Sequence, residues 1–338
     1  MKAPPPPPPG CDPDSIVMQF SVAREHAGMR LDRFIQNRIP RLSRTRANRV
    51  VKTCAFRADG TPRRPSQRVK AGEVVWIVRP PMDEPKVPLY FGVIHDDGQV
   101  LVIDKPPGLP MHPTATYYKH TLSFLLLTEY PHRSPQFAHR LDRETSGLVI
   151  CGWDRDAEIV LKKQFERRNV QKTYLAIVEG VMEEDEGMMV QSMAPVEEGL
   201  HIMMELREDG LKAQTHYVVR GRAESSTLVE LHPRTGRQHQ LRVHLAGIGH
   251  PIVGDKLYGP GGPETFLQAI GGDRSQELLE RLGHPRQALH AHRLSIGHPA
   301  GHEVEYEAPL SADLVQLWEN RQQGVMTPVS FESLEERL

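Results

Sequence analysis

The alternation of hydrophobic and polar positions divides the chain into a short head and a longer body. Residues 16–23 alternate with period two and predict a strand. Residues 29–38 place Leu31, Phe34 and Ile35 on one helical face and arginines on the other. The Pro40-Arg41-Leu42 break leads to Ser43, a suitable N-cap for a second helix through Lys52. Strands at 54–57 and 74–78 complete the head. A proline-rich joint at 81–90 separates it from the body. There, 100–105 reads as a buried strand stopped by Pro106-Pro107-Gly108, 121–130 as an apolar helix, and 148–151 as a second buried strand. Asp154 is placed to cap a helix over 157–168, and 172–180 predicts a strand with Tyr174, Ala176 and Val178 on one face. The acidic, Met-rich piece 182–204 suits a partly exposed hairpin or loop. Strands at 212–220 and 227–231 precede a helix start at 238–245, a turn-rich stretch at 247–262 and a short amphipathic helix at 274–282, inside what reads as an insertion spanning 260–285. Strands at 289–296 and 303–307 and a helix from Ser311, its expected N-cap, to 323 close the body. Strands outnumber helices and alternate irregularly with them, which predicts an α+β fold built on a mixed, mostly antiparallel sheet.

Composition refines this into five parts: a disordered Pro-rich tail at 1–14, a small basic α/β domain at 15–80, a linker at 81–90, a large domain at 91–325 and a tail at 326–338. The 338 residues, 38% hydrophobic and 25% charged, suit a globular two-domain protein. The longest apolar run, 122–127, is far too short for a bilayer, so no membrane partner is expected. The first nine residues, mostly proline, have no apolar core and do not read as a signal peptide. Three widely spaced cysteines without a Cys-x-x-Cys pair point to a reduced cytoplasm and away from disulfides or a thiolate zinc site. Among seventeen histidines none forms His-Glu-x-x-His, and no metal is expected. No Gly-x-Gly-x-x-Gly follows a strand and no Walker-type loop occurs, so no nucleotide cofactor is expected either. The net charge of −1 conceals a strong asymmetry: residues 28–79 hold twelve arginines and two lysines against three acids. Arg30, Arg33, Arg41, Arg44, Arg46 and Arg49 suit a platform for nucleic-acid phosphates, unless this is merely a solvated basic face.

The densest chemistry lies in Ala138-His139-Arg140-Leu141-Asp142-Arg143-Glu144-Thr145-Ser146-Gly147. Nearby guanidiniums favour the charged form of a carboxylate, which makes Asp142 a candidate nucleophile or base. Taken locally, the same residues also describe a surface salt-bridge cluster. Three further segments decide between these readings: Lys172-Thr173-Tyr174, then Arg234-Thr235-Gly236-Arg237-Gln238-His239-Gln240-Leu241-Arg242, then Gly249-His250-Pro251-Ile252-Val253-Gly254-Asp255. In order and spacing the four segments resemble the RluA-type pseudouridine synthases over residues 90–310. The Arg30-Leu31-Asp32-Arg33-Phe34 opening and the Ser43-Arg44 helix start resemble an S-four-type RNA-binding domain, named after a small-subunit ribosomal protein.

The resemblance implies isomerisation of uridine to pseudouridine in ribosomal or transfer RNA, without metal, nucleotide or redox cofactor. It makes Asp142 the nucleophile toward either the ribose anomeric carbon or the uracil ring, and Tyr174 the residue that stacks on the base, also a candidate for the final proton removal. It makes Arg237 the ion-pair partner of Asp142, and Arg140 the side chain that fills the space left by the flipped nucleotide. Lys105, in Asp104-Lys105-Pro106-Pro107-Gly108, falls in the first family motif and is placed either to touch a phosphate or simply to end its strand. Leu289 matches a position packing on the pocket, or is plain core. Arg143 and Glu144 remain a supporting ion pair. A monomer is expected. A non-catalytic RNA-binding factor has no evident need of the Asp, Tyr and Arg together, and a glycoside-type hydrolase would need a second, equally well placed acid.

Overall fold

The computed structural model describes residues 5–40 and 42–325; Arg41, the first four residues and the 326–338 tail lie outside the described residues. The chain separates into two compact units, one of residues up to 85 together with 114–118, the other from 86 to 113 and from 119 onward.

The first unit carries β1 (Ile16–Ser21), α1 (Leu31–Arg38), α2 (Arg44–Cys54), β2 (Ala55–Phe56) and β3 (Val74–Arg79), with an antiparallel sheet in the order β1-β3-β2. Leu31, Phe34 and Ile35 of α1 and Val51 of α2 bury against Val75 and Ile77. The Ser43 hydroxyl accepts the Arg46 amide at 3.3 Å, capping α2. Buried Asp32 ties the two helices together. It accepts from Arg30 Nη2 at 2.8 Å, from the Arg33 amide at 2.9 Å and from Asn48 Nδ2 at 3.1 Å. Arg30, expected at the RNA face, pairs with Asp32 while its side chain stays 40% exposed. Arg33, Arg44, Arg46 and Arg49 are exposed, and none makes a side-chain ion pair among the described residues. In the described part of the Pro-rich tail Pro8 is buried, and a Cβ on Gly60 would meet the Pro9 carbonyl oxygen.

The second unit is an α+β fold. Its chain order is β4 (Gly92–Asp96), β5 (Val100–Lys105), α3 (Leu122–Glu129), β6 (Gln136–Phe137), β7 (Ser146–Gly152), α4 (Arg155–Arg167), β8 (Gln171–Glu179), β9 (Glu186–Met189), β10 (Met193–Pro195), β11 (Met204–Leu206), β12 (Thr215–Arg222) and β13 (Ser226–Pro233). It ends with α5 (Gln240–Gly247), α6 (Gly262–Ile270), α7 (Gln276–Leu282), β14 (Leu289–Gly297), β15 (Glu303–Glu307) and α8 (Ala312–Gln322). A ten-stranded sheet runs β4-β5-β7-β14-β8-β13-β12-β9, with β15 on β14 and β6 on β7. Its only parallel pair among the described residues is β7 with β14. One core joins Val100, Val102, Leu148 and Ile150 to Leu161 of α4 and Ile296. The other joins Ala176, Val178, Leu231 and Leu289 to Leu241 of α5 and to Leu314 and Leu317 of α8.

The segment expected as one hairpin or loop at 182–204 contributes β9 to the sheet edge, while β10 pairs separately with β11. The turn-rich stretch and insertion hide α6, whose entry at Gly261 takes φ 77°. Asp154 caps α4 through the Ala157 amide at 2.9 Å. Ser311 precedes α8 without capping it; its hydroxyl accepts instead from the buried guanidinium of Arg286 at 2.8 Å.

The parallel pair demands a glycine. Gly147 has φ 103°, and a Cβ there would stand 2.3 Å from the Ala291 carbonyl oxygen and 2.8 Å from its amide nitrogen. Both obstacles are backbone, so neither can swing away. Gly147→Ala is expected to lower stability by about 1–3 kcal/mol through backbone strain alone, seen as a lower urea midpoint at unchanged slope. A wild-type midpoint would contradict this close approach.

Candidate active site

Strands β8, β13 and β14, α5 and the loops before β7 and after β13 line a cavity of about 110 Å³, among whose residues are Arg140, Asp142, Lys172, Tyr174, Arg237, His239, Arg242 and Leu289. Asp142 sits in the loop before β7, Tyr174 on β8, Leu289 at the start of β14, and the Thr235-Gly236-Arg237 loop follows β13.

The Asp142 loop is held from below by buried cations. Lys105 Nζ donates to the carbonyls of Pro106 at 2.8 Å, Leu109 at 3.1 Å and Arg143 at 3.0 Å. It is 0% exposed, and burial, aided by Arg286, lowers its pKa well below the usual lysine value. Lys105 thus does not reach a phosphate. It locks the loop, because a buried ammonium must satisfy its donors on nearby carbonyls. Arg286 Nη1 donates to the Glu144 carbonyl at 3.1 Å and Gln287 Nε2 to Thr145 Oγ1 at 2.7 Å. Glu144 pairs with Lys256 at 2.8 Å as well as with Arg143 at 3.1 Å. Burial works to raise its pKa, but Lys256 and Arg143 overcome that and hold the carboxyl at about 2.

The guanidinium facing Asp142 is Arg242, not Arg237. Arg242 Nη1 donates to Asp142 Oδ2 at 3.0 Å, while Nε and Nη2 grip Asp255 at 2.6 and 2.8 Å. Burial opposes the charge of Arg242, but Asp255 and Asp142 more than compensate and raise its pKa. Asp255 is 0% exposed and also accepts the amides of Leu257 and Tyr258 at 2.9 and 3.0 Å. Arg237 lies in the loop ahead of α5, its Nε 3.4 Å from the Lys212 carbonyl oxygen and its amide bonded to Gln240 Oε1 at 3.0 Å. The start of α5 separates the two arginines: Arg242 sits in its first turn, buried, whereas Arg237 precedes the helix. Arg242 and Asp255 both occur in the motif segments, but their pairing becomes visible only with the burial of Arg242, since a buried arginine requires a carboxylate within reach.

The remaining positions fall as follows. Tyr174 is half-buried, and burial together with the charge of Asp142 raises its phenol pKa. Leu289 lines the cavity and also belongs to the core. Arg140 is exposed, borders the cavity, and makes no side-chain ion pair among the described residues. Lys172, pushed down to about 8 by burial and Arg168, reaches the Thr235 carbonyl oxygen at 3.3 Å. The Thr235 loop is braced by Gln240, whose Oε1 accepts from Thr235 Oγ1 at 2.7 Å. Sequence reasoning missed Gln240, His239 and Tyr258, which meets His239 Nδ1 at 2.8 Å. No three His, Cys, Asp or Glu side chains gather as a metal site would need among the described residues.

Residues 99–247, which include the Asp142 loop, β8 and all of α5, match the model of the RNA pseudouridylate synthase family. A solved structure, human RNA pseudouridylate synthase domain containing 4, is 30% identical and superposes with a TM-score of 0.55 over 69% of this chain and 93% of its own. Fold and site therefore define an enzyme that isomerises uridine in RNA. Ribosomal large subunit pseudouridine synthase D of Xanthomonas campestris is 34% identical, over 90% of this chain and 92% of that protein. The protein of the same name from Xylella fastidiosa is 36% identical, over 88% and 91% respectively. The chain belongs to the RNA pseudouridine synthases of the RluA type.

Removing one partner of a buried ion pair leaves the other charge uncompensated. Arg242→Met, which strands Asp255, is expected to cost about 3–5 kcal/mol, whereas Arg237→Ala, half-buried in a loop, should stay within about 0.5 kcal/mol of wild type. Chemical denaturation of the two variants checks the assignment, and equal losses would refute it.

Proposed function

We propose that this enzyme converts a uridine of large-subunit ribosomal RNA to pseudouridine, with Asp142 as nucleophile and the target base extruded from its stack. The observation carrying this reading is the Asp142–Arg242–Asp255 array at the floor of an open cavity. Arg242 engages only Oδ2 of Asp142, and no hydrogen bond reaches Oδ1 among the described residues. Oδ1 is then the oxygen available to attack the ribose anomeric carbon or the uracil ring, while Arg242 fixes the carboxylate's direction. A base that must detach, turn and reattach through carbon cannot remain stacked, and extrusion costs a few kcal/mol. Arg140, exposed beside the cavity, offers a planar group to fill the vacated space. Tyr174 offers a flat face to the base. Its raised pKa means that the phenol keeps its proton, which favours packing over proton removal. The large-subunit substrate rests on the names of the bacterial relatives.

The first unit acts as an S-four-type RNA-binding domain in this reading, with Arg33, Arg44, Arg46 and Arg49 facing the phosphates.

Asp142→Asn keeps the size of the side chain and removes its nucleophilicity. It should abolish tritium release from RNA labelled at carbon 5 of uridine while leaving RNA affinity within a few-fold of wild type; retained turnover would eliminate Asp142 as nucleophile. Replacing Arg44, Arg46 and Arg49 together by glutamine should weaken RNA binding and flatten the plot of log affinity against log salt by about 2–3 units, roughly one for each phosphate no longer neutralised. An unchanged slope would make the face a solvated one.

A further inference from the structure

His239 lines the cavity beside Asp142 without joining the Asp142–Arg242–Asp255 array. His239 occupies the N-cap of α5 in the left-handed region, φ 55°, which non-glycine residues seldom adopt. Its imidazole is fixed on one side by Tyr258, whose hydroxyl lies 2.8 Å from Nδ1. That hydroxyl already accepts the Met204 amide proton at 2.9 Å. Its own proton is therefore free to go to Nδ1, the arrangement in which the phenol, a better donor than acceptor, accepts from one partner and donates to the other. The ring's remaining proton then belongs on Nε2. Burial and the Arg242 guanidinium hold the imidazole pKa down to about 4, so the ring is neutral at physiological pH. Nε2 stands 3.9 Å from Asp142 Oδ2, beyond hydrogen-bond reach. The result is a neutral N–H of fixed tautomer beside the candidate nucleophile, with no protein acceptor among the described residues.

We propose that His239 is a specificity residue that recognises the base, its Nε2–H donating to a carbonyl oxygen of uracil held in the cavity. The inference rests on the reading of the cavity as a uridine site. A neutral donor suits a neutral carbonyl. Because Tyr258 fixes the tautomer, the donor is oriented before the base arrives, so less ordering remains to be done on binding. The strained backbone at His239 is the local cost of aiming the ring.

The test uses the full chain and RNA oligonucleotides carrying uridine, 2-thiouridine or 4-thiouridine at the target position, since sulfur is a weaker acceptor than oxygen. His239→Gly suits the left-handed backbone and deletes the donor, and should lower kcat/KM on uridine about ten- to a hundredfold. His239→Gln, which retains a neutral N–H at similar reach, should recover most of that loss, and Tyr258→Phe, which frees the tautomer, should fall between. The effect of His239→Gly should shrink toward none on one of the two thio-substrates, as a shared interaction requires. Equal losses on all three RNAs, or a well-folded His239→Gln as impaired as His239→Gly, would overturn the assignment. Failure of the wild-type enzyme to convert uridine in any RNA would instead remove the reading of the cavity on which it stands.

Discussion

The site depends on one buried guanidinium. Arg242 is taken almost wholly out of water, a transfer tolerated only when charge and donors are both satisfied. Asp255 receives Nε and Nη2 in a fork-to-fork pair, and its Oδ1 accepts two backbone amides besides. That arrangement leaves Nη1, and the planarity of the group then dictates where Nη1 points. Asp142 is where it points. A lysine, a point charge on a flexible stem, would hold one carboxylate without determining the direction of the second. The position of the candidate nucleophile is thus inherited from α5 and from the turn at Asp255, elements remote from it in sequence.

The other cations near the cavity sort by what they satisfy. Lys105, Arg286 and Lys256 turn their donors onto carbonyls and carboxylates of the Asp142 loop or its supports, so their charges act within the fold. Arg140 is exposed and keeps its charge for what lies outside. This separation explains how a loop crowded with arginines can be rigid and still present a guanidinium outward. In water, pairs within such a cluster would contribute little; under the loop, where they are buried, they hold its course.

Much of this is legible from sequence, for definite reasons. Alternation and capping residues outline the head; β5 and β7 stand out as short continuous apolar runs, and β8 by its alternation of Tyr174, Ala176 and Val178. Asp142 and Tyr174 stand out because they belong to dense motifs. Arg237 reads as the partner of Asp142 in place of Arg242 because both lie in one motif and nothing local distinguishes them. The distinction arises only when α5 begins at Gln240 and turns Arg242 inward toward Asp255. Lys105 misleads for a related reason: a lysine ending a strand usually reaches solvent, and its three carbonyl partners come from loops whose convergence is a tertiary property. Helix α6 is hidden by the glycines and prolines at its entry, which also spell turns.

The same geometry separates isomerisation from hydrolysis. Two-carboxylate glycoside chemistry needs a second acid facing the scissile bond, about 5 to 9.5 Å from the first depending on mechanism. Among the described residues, Asp142 is the sole carboxylate lining the cavity. Asp255 is fully buried behind Arg242, and Glu144 is turned away into its pair with Lys256. No acid among them is left to deliver water to a detached sugar. What the cavity offers around Asp142 instead is a phenol that keeps its proton, a neutral imidazole and apolar wall. Such surroundings suit a base that is released, retained, turned and joined again to the same ribose.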